Sequence, residues 1–189
     1  RRMPLRTSRI FSTGAAASIT LLAMTCAGCG DMSEDKYLGG PGGQLSIAEM
    51  QERPTLSEVA PRYEQLLADV RKAIHEVLPD AEMIQSREPM KIGCSSEVDS
   101  EEHVQAAKRQ AYPGWVVRLR PTPEQWSQLR AKLEPLLHDR GFDKVKMDTA
   151  IGDGGRRFVV QDDFGAELSI TYVKSISLKL LSGCHLDRT

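Results

Sequence analysis

Between Thr55 and Leu78 the apolar positions recur every three or four residues. Tyr63, Leu66, Leu67, Val70, Ile74, Val77 and Leu78 fall on one stripe, which is the period of an amphipathic helix. Thr55 and Glu58 stand at capping-box spacing. Pro61 suits a first helical turn and would set the start nearer Ala60, and Pro79 closes the segment. A second helix opens at "RPTPEQW", with Thr122 as N-cap, Pro123 at the first helical position and Gln125 completing a capping box. Trp126, Leu129, Leu133, Leu136 and Leu137 share its apolar face, Pro135 loosens its last turns, and Gly141 is placed to end it.

Strand patterns fill most of the remainder. They are "GWVVRLRP", "FDKVKMDTA", "RRFVVQD", "AELSITYV" and "SISLKLLSG", with the turns "IGDGG" and "DDFG" separating the middle three as hairpins. Leu168, Ile170 and Tyr172 alternate with Glu167, Ser169 and Thr171, so one face of the sheet is wet. The expected fold is α+β: a two-layer sandwich of about five antiparallel strands packed against two amphipathic helices. Residues 100–110 are read as a short third helix or a loop.

The first thirty residues follow another pattern. A basic head with Arg1, Arg2, Arg6 and Arg9 precedes an apolar stretch from Ile10 to Thr25 that is too short and too polar for a comfortable membrane span. It ends in Ala27-Gly28-Cys29, the small-small-Cys ending of a bacterial lipobox, in which the cysteine takes a diacylglycerol and cleavage falls just before it. Cys26 occupies the place where such signals favour Leu, and Cys26 itself is the alternative lipidation site. A zinc reading of Cys26 and Cys29 lacks a second ligand pair, and a redox reading lacks a folded strand-to-helix turn. The organisation expected is therefore a signal peptide over 1–28, a lipidated Cys29 with a flexible tether over 29–54, and one domain over 55–189. Ser33 and Lys36 have the spacing of a nucleophile pair but lie in that tether.

Composition changes the picture mainly through charge. The chain has 25 basic and 26 acidic residues among 189; without the segment before Cys29 the balance is 21 against 26, a net −5. A mildly acidic body argues against nucleic-acid partners. Two cysteines remain in that body, Cys94 and Cys184, and in an oxidising exported compartment they are expected to pair; a free thiol at Cys184 is the rival reading.

The order of elements resembles that of small exported lipoproteins of the mycobacterial LppA/LppB type. The resemblance runs from about Tyr63 to Cys184 and rests on Cys94, the helix start near Thr122, the "QDDFG" turn and the "SGC" ending. It implies an actinobacterial cell-envelope lipoprotein with a disulfide, and nothing about chemistry.

No catalytic, cofactor or metal-ligating set emerges. His75, His103, His138 and His185 lie on separate elements without ligand spacing, and are read as surface or capping residues. Asp148, Asp153, Asp162 and Asp163 are read as turn formers rather than a calcium site, and "GDGG" lacks the helix of a phosphate cradle. The function expected is non-enzymatic: a lipid-anchored accessory or binding protein on the extracytoplasmic face of the cell membrane. Its partner would be an envelope protein or a hydrophobic small molecule. A carrier would hold its ligand in a cleft between helices and sheet, lined by Trp115, Trp126, Met83, Met90 or Met147; an accessory protein would present a face such as the charged run from Glu97 to Arg109.

Overall fold

The computed structural model describes residues 45–94 and 106–188. Its elements are α1 (Ile47–Glu52), α2 (Leu56–Val77), β1 (Met83–Arg87), β2 (Met90–Gly93), β3 (Ala107–Ala111), β4 (Gly114–Val117), α3 (Pro123–Asp139), β5 (Lys144–Ile151), β6 (Gly155–Gln161), β7 (Glu167–Tyr172), β8 (Ile176–Leu181) and β9 (His185–Leu186). The expected α+β class holds, with three helices and nine antiparallel strands among the described residues where two and about five were expected. Cys26, Cys29, Ser33, Lys36, His103 and the run from Glu97 to Gln105 lie outside the described residues.

The strand count differs because long runs are interrupted. Along the sheet the order is β1-β4-β8-β7-β6-β5, and β3 pairs β2, β8 and β9. β3 and β4 are two halves of one run broken at Tyr112 and Pro113, and Pro89 breaks β1 from β2. Proline has no amide hydrogen for the ladder, so pairing lapses where it stands. Trp115 faces Leu178 and Ala107 faces Leu186, eight residues on along each strand, but between them the pairing slips by one residue, where Ala111 faces Leu181. At the opposite edge, β5 exposes Lys144, Lys146 and Asp148, charges that discourage further strand pairing.

Both long helices begin where their caps predict. Thr122 accepts from Gln125 N while its own N–H donates to Gln125 Oε1, and Pro123 takes the first turn. Helix α3 ends in a Schellman arrangement at Gly141, whose φ is 73°; Gly141 N donates to His138 O and Phe142 N to Leu137 O. At the start of α2, Glu58 accepts from both the N–H and the hydroxyl of Thr55. That cap sets the start at Leu56 and carries Pro61 inside the helix, a turn earlier than the proline alone suggested.

Helices α2 and α3 lay their apolar stripes on the sheet. Tyr63, Leu66, Val70, Ile74, Leu129, Leu133 and Leu137 meet Phe158, Leu168, Ile170, Ile176 and Leu178 in one core. Trp126 packs against Tyr172 at 4.9 Å between ring centroids, and Tyr63 stands edge-on to Tyr112 and Phe142. Arg71 and Arg130 lie over the rings of Trp115 and Phe158 at 3.6 and 3.4 Å. Trp115 is half-buried and Trp126 buried, so both serve the core.

A smaller core forms around the disulfide. Cys94 and Cys184 are joined, with Cα atoms 6.1 Å apart. Cys94 follows β2 and Cys184 precedes β9, the strands on either side of β3. The bridge spans β3 beside Ala107, whose side chain is only a methyl group. Met50 and Leu186 are buried with it, and Leu45 and Ile47 pack alongside. Helix α1 therefore belongs to the fold, although its residues were expected in the tether; Ser46 and Glu49 form its capping box. Replacing both cysteines by alanine removes a 90-residue cross-link, a loss of roughly 4 kcal/mol by chain entropy. Urea unfolding is expected to give the variant a free energy of unfolding lower by that amount, with a correspondingly lower midpoint.

Candidate functional site

Beside the N-terminal half of α2 runs a groove of about 410 Å³. It exists because two sequence features coincide. Leu56, Ser57, Ala60 and Glu64 share a flank of the helix, and Pro89 and Pro113 interrupt the strands opposite. A continuous ladder would bring neighbouring strands to their usual spacing; the paired breaks leave an opening instead. Lys91, Gln110, Tyr112 and Asp187 complete the lining.

Tyr112 is the chemically informative residue. It is 4% exposed, and its hydroxyl is buried without a hydrogen-bond partner. Burial raises the phenol well above its ordinary range, and the Glu64 carboxylate adds to the shift. The group is thus a protonated hydroxyl with unused donor and acceptor capacity, the kind of group whose burial is costly unless something pairs with it.

Below the groove lies a buried polar knot. Asp162 accepts from Phe164 N and Ala166 N through one oxygen and from the Tyr63 hydroxyl, at 2.8 Å, through the other. Arg62 stands 3.6 Å from that second oxygen. Arg53 donates to Phe164 O, and His185 Nδ1 lies 2.8 Å from Pro54 O. His185 is fully buried, its Nε2 has no partner, and its ring meets Phe164 edge-on. It was expected at the surface; tertiary contact with the linker between α1 and α2 buries it instead. Burial is the chief cause that lowers its pKa from the ordinary value of 6.5, so it is held neutral.

The other expected residues are dispersed. Cys184 is bonded to Cys94 and is no free nucleophile. His75 and His138 are exposed on α2 and α3. Asp148 pairs with Arg130 and Arg156, and Asp163 with Lys144. Among the described residues no three His, Cys, Asp or Glu side chains gather to hold a metal ion. Met83, Met90 and Met147 do not line the groove, nor does either tryptophan. None of the groove's residues was singled out by sequence reasoning; the two prolines in otherwise strand-like runs were the available signal. No described helix is long and apolar enough to cross a membrane.

Residues 43–188 match the family LppA, described as a lipoprotein confined to pathogenic Mycobacterium. The chain belongs to the LppA family. No curated protein matches it. Among solved structures, a DUF4853 family protein from Actinomyces odontolyticus superposes with a TM-score of 0.57 at 17% identity, over 74% of this chain and 73% of that one. The putative lipoprotein LppA from Mycobacterium tuberculosis gives 0.47 at 15%, over 74% and 83%. The first likeness shows a shared fold. The stretches that suggested LppA from sequence meet in space. A Cβ on Gly183 of "SGC" would collide with Phe164 O of "QDDFG", so only glycine permits that approach.

Two measurements test these assignments. Tyr112→Phe removes a buried hydroxyl that pairs with nothing, so the unliganded protein is expected to gain about 1 kcal/mol, read as a melting temperature higher by a few degrees. Acid acts in the opposite direction. Unfolded His185 takes a proton near pH 6.5 and folded His185 only at lower pH, so its contribution is complete above 6.5 and lost as pH falls below it. Melting temperature is expected to fall from pH 7.5 to 5.5, before the capping carboxylates Glu49 and Glu58, whose pKa values are lowered chiefly by the N–H groups of Ser46 and Thr55, begin to protonate.

Proposed function

We propose that this LppA-family chain is a lipid-anchored extracytoplasmic binding protein, tethered through Cys29, whose body takes up a small molecule in the groove beside α2. The observation that carries the reading is a groove with mostly apolar walls, whose lining includes Leu56, Ala60, Pro89, Tyr112 and Pro113. About 410 Å³ lies within the range of small-molecule sites, and such sites combine apolar lining with a few polar groups that fix orientation. The Ala27-Gly28-Cys29 ending supports the anchor, and membership of a lipoprotein family supports the envelope. Catalysis has little support, because the groove holds neither a nucleophile–base pair nor a cluster of carboxylates.

A second reading, docking of a protein partner, draws on Met90 and Ile92. They are 51% and 38% exposed on β2, a strand at the edge of the sheet. Native mass spectrometry of the full chain, recovered from an oxidising compartment without detergent, separates the two. Groove binding predicts an added small-molecule mass that is lost on denaturation and absent from Ala60→Trp, which fills the groove. A bare chain whose β2 instead crosslinks to a protein would overturn it in favour of docking.

A further inference from the structure

Met90 and Ile92 are large apolar side chains exposed side by side on one strand, whereas Val145 and Val173 are exposed singly elsewhere. Side chains two apart on a strand point the same way, and the next in that alternation is Cys94. It carries the bridge to Cys184, beside which Met50 is buried and Leu45 and Ile47 pack. The exposed pair therefore lies in line with the cluster at which the chain arriving from Cys29 joins the folded body. Lys91 turns to the other side of β2 and pairs with Asp187 at 2.7 Å, so it sets no bare charge between the two.

Resting on the anchor at Cys29 proposed above, we infer that this side of β2 is a membrane contact. Met90 and Ile92 dip into the boundary between headgroups and acyl chains of the bilayer that holds the lipidated cysteine. Leu45 follows Cys29 by 16 residues. At no more than about 3.5 Å per residue, it stays within about 55 Å of the anchor whatever form the intervening chain takes. Contact is then an intramolecular event, and at that effective concentration two side chains suffice where they would not hold a free body on lipid. The headgroup layer also supplies water and phosphate to the open N–H and C=O groups of an edge strand, which the hydrocarbon interior would leave unpaired. A protein partner fits less well. Two partly exposed side chains offer on the order of 200 Å², against about 800 Å² a side in a standard protein interface. Strand β2 is also only four residues long, with Pro89 before it, and gives an added strand little ladder to extend.

The test places a fluorescent reporter on each edge of the sheet in the lipidated full chain, reconstituted into phosphatidylcholine vesicles. Ile92→Trp and Met90→Trp mark β2. Val145→Trp marks β5 at the opposite edge, where Val145 is 59% exposed, and controls for the liking of tryptophan itself for lipid interfaces. Emission is compared between plain vesicles and vesicles brominated near the headgroup end of their acyl chains, since bromine quenches only on contact. Both β2 reporters are expected to emit further to the blue and to lose about half their added signal on bromination, at the depth of about 5–10 Å that an interfacial side chain reaches. Val145→Trp is expected to keep its signal. Flotation of the vesicles reports the anchor separately. Protein that floats with its β2 reporters no more quenched than Val145→Trp would overturn the contact and leave the Cys29 reading intact. A blue shift without bromine quenching would overturn it in favour of a second copy of the chain on β2. Protein that does not float would overturn anchor and contact together.

Discussion

Everything that joins the helical layer to the sheet near the groove depends on the carboxylate of Asp162. It closes its own turn by accepting from two backbone amides, and it reaches across to α2 through the Tyr63 hydroxyl and the Arg62 guanidinium. A buried carboxylate is tolerable only with its lone pairs occupied, and here each partner fixes something else. The turn carries Phe164, whose carbonyl rests against Gly183 and accepts from Arg53. Tyr63 carries the rings of Tyr112 and Phe142. Removing the carboxylate would loosen the turn, the helix and the strand with the disulfide together.

Unlike the fully engaged Asp162 carboxylate, His185 Nε2 in the same knot has no partner, and the groove nearby is no better satisfied. Its strands are broken by prolines, and a tyrosine hydroxyl is buried without use. Natural cores seldom keep such groups unless function requires them. A fully bonded Asp162 carboxylate and an unbonded Tyr112 hydroxyl thus stand in neighbouring parts of one core.

Helices α2 and α3 were legible because their signals are local: a cap, a stripe at helical spacing, a closing proline or glycine. The strands from β4 to β8 were legible by alternation and hairpin turns. Strands β2 and β3 were not, since "MKIG" and "AKRQA" carry small or charged residues and owe their state to neighbours supplied by β8 and β9. Helix α1 hid within a polar stretch, although Ser46 and Glu49 stood at capping-box spacing. The groove was illegible in principle, because its walls come from separate parts of the chain. His185 was misjudged for the same reason, as Pro54 lies 131 residues away.

The cross-link over β3 also orders events in time. A chain that crosses a membrane N-terminus first presents Cys94 while Cys184 is still 90 residues behind. Strands β3 to β8 must follow before the partner thiol arrives. Oxidation therefore cannot precede their arrival, and the bridge closes over strands already present rather than ahead of them.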